Sequence, residues 1–204
     1  LVFSSPVTVV GVPTLALNAA SLRLATYASG SGSAVLTFNY TVQAGDNVGK
    51  LDYRASDALS AASGDLRGSS GAAVRLTLPQ PSASGSLAAV KDLRIDTLAP
   101  ALVRFESSTP SGTYRVGDSL VISAVLSEPL LAGGALVVRL TTGAAVTLTS
   151  AASSTALTGR YVIAAGENSR SLEITRVSLA GNPPRDLAGN ALNDLALPVG
   201  GNTL

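Results

Sequence analysis

The chain repeats its own sequence at a constant spacing of 121 residues. Residues 40–47 (YTVQAGDN) recur as residues 161–168 (YVIAAGEN), and residues 2–6 (VFSSP) match residues 125–129 (VLSEP) at the nearly equal spacing of 123. Single matches at the 121-residue spacing are Leu51 with Leu172, Asp52 with Glu173, and Asp65 with Asp186. Acidic and apolar positions match together, which chance similarity in an Ala/Ser/Gly/Thr-rich chain rarely produces. The chain therefore contains about one and two-thirds copies of a domain-sized repeat. Tandem domains of this kind are more typical of extended structural proteins than of enzymes.

Composition removes several classes of function. The 204 residues include no cysteine, histidine or tryptophan, so thiol and imidazole catalysis, conventional zinc sites and disulfides are excluded. The 14 basic and 13 acidic side chains give a net charge of +1 and form no blocks. This balance argues against nucleic-acid and anionic-membrane partners.

The sequence contains no apolar run long enough to span a bilayer and does not open with a secretion signal. Because residue 1 is leucine rather than methionine, we expect a fragment or a processed product whose targeting signals lie elsewhere. Absence of cysteine fits the cytosol, and it also fits large bacterial surface proteins. The repeat favours an extracellular or cell-surface location.

Alternating apolar residues predict β-strands along most of the chain. In residues 34–42, Leu36, Phe38, Tyr40 and Val42 share one face, which we expect to be buried. The other predicted strands are residues 73–78, 93–95, 119–126, 135–141, 160–164 and 171–177. No convincing amphipathic helix is present. We therefore predict an all-β fold of antiparallel sandwiches of immunoglobulin-like type, with a closed β-sheet as the alternative.

Several motifs resemble a known family. The second copy has YRVGD at residues 114–118, LSEP at residues 126–129 and DLAGNA at residues 186–191, and IDTLAP at residues 95–100 lies between the copies. With the first copy's residues 25–32 and 36–53, these resemble the tandem bacterial immunoglobulin-like domains of large adhesins and other cell-surface proteins. The resemblance implies a secreted spacer or adhesive module, stiffened in some members by calcium at domain junctions.

The resemblance suggests four calcium ligands at the domain junction: Asp96, Glu128, Asp186 and Asn190. Calcium takes six to eight oxygen ligands, and no single loop of this chain supplies them, so the site would be composite. The first copy has Ser5 in place of Glu128 and Arg67 to Ser69 in place of residues 188–190, which weakens the case for calcium there. Alternatively, Asp186 and Asn190 make a turn, Glu128 is solvated and Asp96 ends a strand. We also expect Asp52 and Glu173 to lie on a solvated strand face.

Pro100 fixes its backbone and restricts Ala99, so the domain boundary is placed there. The expected domains are residues 1–98, lacking a first strand, and residues 99–204, possibly lacking a last strand. Two explanations for such incomplete domains remain open. Either the ends are arbitrary cuts from a longer array, or neighbouring copies complete each other by strand addition into a filament.

The expected function is a non-enzymatic extracellular structural module, either the spacer of a bacterial adhesin or the subunit of a surface filament. Its partners would be neighbouring copies of itself or adjacent repeats of a longer chain. The alternative is a module that binds a glycan or a surface protein through residues 130–134 and 142–145. Catalysis by paired carboxylates is the weakest hypothesis, since no aromatic-lined cleft is predicted.

Overall fold

The computed structural model describes residues 1–204, which form two compact units, Leu1–Thr97 and Leu98–Leu204. Both are built from antiparallel β-sheet, and the helical content is one short helix in the first unit.

The first unit contains nine strands and the helix. They are β1 (Val2–Val10), β2 (Thr14–Leu17), β3 (Arg23–Ser29), β4 (Ser33–Val35), β5 (Thr37–Asn39), β6 (Asn47–Val48), β7 (Leu59–Ser60), β8 (Asp65–Gly68), α1 (Leu87–Val90) and β9 (Ile95–Asp96). One sheet has the order β4-β1-β8, a second has the order β5-β3-β2-β7, and β6 pairs with β9.

The core of the first unit is thin and mainly aliphatic. One cluster is formed around Leu15, Leu17 and Leu59, and a second around Val7, Leu36 and Leu66. Phe3, Phe38 and Leu76 contact both clusters, so they join the two sheets through one apolar layer. Burial of apolar area from facing sheets is the main favourable contribution to such a fold.

The second unit is one six-stranded sheet. Its strands are β10 (Leu102–Ser107), β11 (Ser119–Leu130), β12 (Ala135–Leu140), β13 (Ala145–Ser150), β14 (Ser154–Val162) and β15 (Ile174–Leu179). The spatial order is β10-β11-β14-β13-β12-β15. The sheet curves around a single core that includes Ile122, Leu136, Leu148, Leu157 and Ile174, all without solvent exposure.

Residues 201–204 contact both edges of this curved sheet. The Phe105 amide on β10 donates to the Gly201 carbonyl at 2.6 Å, and the Ile174 amide on β15 donates to the Asn202 carbonyl at 2.8 Å. Thr203 bridges Glu173, and the Leu204 amide donates to the Leu172 carbonyl at 3.0 Å. Edge strands with unpaired backbone groups are unfavourable in isolation, and this segment satisfies part of both edges.

Most strand pairings of the two units correspond at about the 121-residue spacing. The β1–β4, β2–β3, β3–β5 and β2–β7 pairs of the first unit correspond to the β11–β14, β12–β13, β13–β14 and β12–β15 pairs of the second. The β1–β8 pair, which includes Val9 opposite Leu66, corresponds to the single bridge between Leu130 and Asp186. The main difference is β10, which pairs with β11 on the side where β1 has only β8.

Three predictions from the alternating pattern need correction. Val42 is 49% exposed although Leu36 on the same predicted face is fully buried, because the regular strand ends at Asn39. Residues 73–78 form no strand, although Leu76 and Leu78 pack into the core. Asp52 is only 2% exposed rather than solvated, because its carboxylate accepts hydrogen bonds from the amides of Tyr53 and Ser82, both at 2.9 Å.

Candidate functional site

A tyrosine hydrogen-bonded to a carboxylate six residues later occurs at the same place in both units. Tyr40 donates to Asp46 in the first unit, and Tyr161 donates to Glu167 in the second. In each case the carboxylate also accepts from the amide three residues before it, Gln43 at 2.8 Å and Ala164 at 2.7 Å. We call this arrangement, in which the tyrosine hydroxyl bonds a side-chain carboxylate and not the backbone, the tyrosine corner. It lies inside the strongest sequence match, so the repeat itself was the signal that could have located it.

In the first unit the tyrosine corner contains a buried ion pair. Asp46 has no solvent exposure and its Oδ1 lies 2.5 Å from the Arg23 Nε. Burial raises the pKa of the Asp46 carboxyl, but the hydrogen bonds from Tyr40 and Gln43 and the charge of Arg23 outweigh it, so the pKa is below its usual value. The repeat gives no signal for Arg23, because the matching position of the second copy is Ala144.

The end of the first unit packs on its tyrosine corner through Thr97. The Thr97 hydroxyl accepts from the Gly45 amide and donates to the Asp46 carbonyl, both at 3.0 Å. The strand just before it, β9, pairs with β6 so that Asp96 lies opposite Asn47 and Ile95 opposite Val48. Further along, the Leu51 amide donates to the Leu93 carbonyl at 2.7 Å. Residues 93–97 therefore cover this side of the first unit.

The tyrosine corner of the second unit is more open. Tyr161 is buried, which raises the pKa of its phenol; the hydrogen bond to Glu167 also raises it, while the contact with Thr142 lowers it. Glu167 itself is half-buried. Beside it lies a groove of about 630 Å³. The groove is lined by residues 107, 109–114, 142, 163, 167–172 and 204 and by parts of β11 and β14.

Three of the four predicted calcium ligands belong to the second unit. Glu128 lies near the end of β11 and is half-buried, whereas Asp186 is 1% exposed. Their carboxylate oxygens lie within 4.8 Å of each other. Asn190 donates to Asp186 with its backbone amide and with its side-chain amide, each at 2.8 Å, as in a tight turn. Asp96, the fourth residue, belongs to β9 of the first unit and is half-buried.

Of the two loops predicted for ligand recognition, residues 130–134 lie at a smaller pocket, and residues 142–145 contribute Thr142 to the larger groove. Residues 131–134 line a space of about 230 Å³ together with Asn182, Pro183 and Arg185. No tyrosine lines this pocket. The half-buried Tyr114 and the buried Tyr161 line the larger groove instead.

Comparisons with protein-family models, with curated proteins and with solved structures find no match for this chain. The structure also has no helix of the length and apolar character required to cross a membrane.

Proposed function

We propose that the chain is a non-enzymatic structural module made of two tandem immunoglobulin-like domains, which acts as an extracellular spacer or as a filament subunit at a bacterial surface. One observation carries the proposal: a 121-residue sequence repeat is accompanied by four matching strand pairings in the two units. Repetition of a whole β-domain along one chain is the usual way to build length.

The polar interior supports a structural role. The buried Asp46, Asp52 and Asp186 are each held by backbone or side-chain hydrogen bonds. No buried side-chain nitrogen or oxygen atom lacks a hydrogen-bond partner. Carboxylates held in this way fix turns and strand ends, whereas a general acid or base needs a proton that it can exchange with a substrate.

Single-molecule stretching tests the spacer proposal. A tandem structural module should give two separate unfolding events, one for each unit. The units have 97 and 107 residues by their bounds, so each event should release roughly 35 nm of chain at about 3.6 Å per residue. A single unfolding event releasing the whole chain would contradict two independent mechanical units.

The surface location needs its own experiment. In intact cells of the source organism, an added protease should remove the chain while a cytosolic marker protein stays intact. Lysed cells provide the control for protease activity. Protection of the chain in intact cells together with digestion after lysis would contradict the proposed location.

Calcium binding at Glu128 and Asp186 is a prediction that forms part of the proposed structural function. Glu128 and Asp186 hold two carboxylates within 4.8 Å, an arrangement that a divalent cation would stabilise. We expect calcium to raise the unfolding temperature of the second unit relative to a chelator. Glu128→Gln should remove that calcium effect, whereas Glu106→Gln, at an exposed pair with Arg104, should retain it. Equal unfolding temperatures with calcium and with chelator would contradict the prediction.

A further inference from the structure

Residues 93–97, which we call the strap, are the last residues of the first unit and are joined to it by a short ladder. The ladder between β9 and β6 contains two residue pairs, and the Leu51 amide adds a bond to the Leu93 carbonyl at 2.7 Å. By contrast, β1 of the same unit is nine residues long and pairs with β4 on one side and with β8 on the other. Segments with few backbone bonds are the parts of a fold that open most readily.

The Thr97 side chain supplies the attachment at the other end of the strap. Its hydroxyl accepts from the Gly45 amide and donates to the Asp46 carbonyl, both at 3.0 Å. One hydrogen bond typically changes an equilibrium constant by a factor of roughly two to ten. Two bonds from a single side chain are therefore a large part of what holds the strap.

The turn that receives Thr97 is held by the first unit without the strap. The Asp46 carboxylate has no solvent exposure, and it accepts from the Tyr40 hydroxyl and the Gln43 amide and pairs with Arg23. None of these three partners belongs to residues 93–97. The turn can therefore keep its shape when the strap leaves it.

We propose that the strap detaches reversibly from the first unit while the apolar clusters and the tyrosine corner of that unit stay folded. The freed residues 93–97 would span about 17 Å when extended, at roughly 3.4 Å per residue. The chain continues from Thr97 directly to Leu98, the first residue of the second unit. Tension that enters the first unit from Leu98 therefore reaches the strap before any other part of that unit, and detachment lengthens the chain before the unit unfolds.

The detachment itself rests on contacts within the first unit, and its use as reversible extension rests on the proposed structural function. The two fail separately. Hydrogen exchange in the absence of force measures whether the strap opens alone. The stretching experiment measures whether the two units carry force independently.

Native-state hydrogen exchange of the full chain is the test. The Gly45 and Leu51 amides donate to the strap, whereas the Asn47 amide, which lies between them in the chain, donates to the Ala19 carbonyl at 3.0 Å. Asn47 is therefore the matched control. Relative to intrinsic rates, we expect Gly45 and Leu51 to exchange at least about a hundredfold faster than Asn47, because their opening needs only the strap to leave.

A pair of Thr97 variants tests the role of the hydroxyl. Thr97→Val removes both of its hydrogen bonds and keeps the branched shape, whereas Thr97→Ser keeps the hydroxyl. We expect Thr97→Val to accelerate exchange of the Leu51 amide about tenfold, and Thr97→Ser to leave it nearly unchanged. Leu51 is the readout because its own bond to Leu93 is not altered by either substitution.

A core variant separates opening of the strap from unfolding of the unit. Val7 is 2% exposed and belongs to an apolar cluster that does not include the strap. Val7→Ala should accelerate exchange of the Asn47 amide at least about tenfold, because two buried carbon atoms are lost. The Leu51 amide should keep its rate, since strap opening leaves this cluster intact. Urea unfolding of all three variants checks that they fold.

Three results would overturn the proposal. The first is equal protection of the Gly45, Leu51 and Asn47 amides, because the strap would then open only with the whole unit. The second is acceleration of Leu51 by Val7→Ala to the same extent as Asn47. The third is a Leu51 rate in Thr97→Val no higher than in Thr97→Ser, because the hydroxyl would then not hold the strap.

Discussion

At the scale of single residues, the repeat provides two versions of one hydrogen bond. Tyr40 donates to a carboxylate with no solvent exposure that is also paired with Arg23, whereas Tyr161 donates to the half-buried Glu167. An ionised group deprived of a hydrogen bond is destabilised most where water cannot replace the donor. The same substitution should therefore have unequal effects in the two units.

We expect Tyr161→Phe to lower the stability of the second unit by about 1 kcal/mol, the usual net value of one hydrogen bond. Tyr40→Phe should lower the stability of the first unit by more. Urea unfolding of both variants measures the difference. An equal loss in the two units, or a larger loss for Tyr161→Phe, would contradict this account of the tyrosine corner.

The ion pair of Asp46 predicts acid sensitivity of the first unit. The pKa of the Asp46 carboxyl in the folded chain is below its ordinary value of 3.8. A carboxyl with a lowered folded pKa contributes stability that is present above the ordinary value and is lost as pH falls through the folded value. The first unit should therefore lose this contribution below about pH 4.

Thermal unfolding followed from pH 6 to pH 2 measures this loss. Asp46→Asn should lower stability at pH 6 and reduce the dependence on pH below 4, and Asp57→Asn, at an exposed position, is the control. If Asp46→Asn left the acid dependence of the first unit unchanged, the ion pair would not be its source.

At the scale of strands, one glycine marks a close backbone approach. A β-carbon at Gly159 on β14 would lie 2.3 Å from the Thr147 carbonyl oxygen and 2.7 Å from a Leu148 methyl carbon. Both neighbours belong to β13, and the oxygen is part of the backbone, so the two strands would have to separate. Glycine in a strand often serves such an approach.

Gly159→Ala should therefore destabilise the second unit by about 1–3 kcal/mol, as overpacking does elsewhere. Gly49→Ala is the matched control, because its β-carbon would meet no atom within 4 Å. Calorimetry of both variants checks the prediction. A Gly159→Ala chain as stable as the original would show that β13 and β14 can separate at little cost.

Strand patterns could be predicted from the sequence where ladders are regular. Residues 119–126 and 135–141 were predicted as strands and coincide closely with β11 and β12, because their alternating residues face a single core. The prediction failed at residues 73–78, where pairing with β8 ends after the Arg67–Ala73 bridge and the bond from the Val74 amide to the Leu66 carbonyl, while Leu76 and Leu78 still pack into the core. Alternation reports burial on one face and does not show whether a ladder partner exists.

The candidate sites were harder to predict, since their contacts join residues far apart in the chain. Asp52 was expected to be solvated, but the Ser82 amide reaches it from 30 residues away. Arg23 meets Asp46 across 23 residues and has no counterpart in the second copy, so neither spacing nor repetition could indicate it. The repeat did locate the tyrosine corner, because both of its partners lie within one matching segment.

At the scale of the whole molecule, each unit has its own core. Leu36 belongs to the first unit and Leu136 to the second, and both side chains are without solvent exposure. Replacing a fully buried leucine with alanine costs about 2–5 kcal/mol, because transfer energy is lost and a cavity remains. Distant substitutions with no shared neighbours act additively.

We therefore expect two calorimetric unfolding transitions, with Leu36→Ala lowering one and Leu136→Ala lowering the other by several degrees. The double variant should show both shifts together. Leu22→Ala, at a side chain that is 82% exposed, is the control and should move neither transition. If either core substitution lowered both transitions equally, the two units would unfold as one cooperative body, and a spacer built from independently stable domains would have to be abandoned.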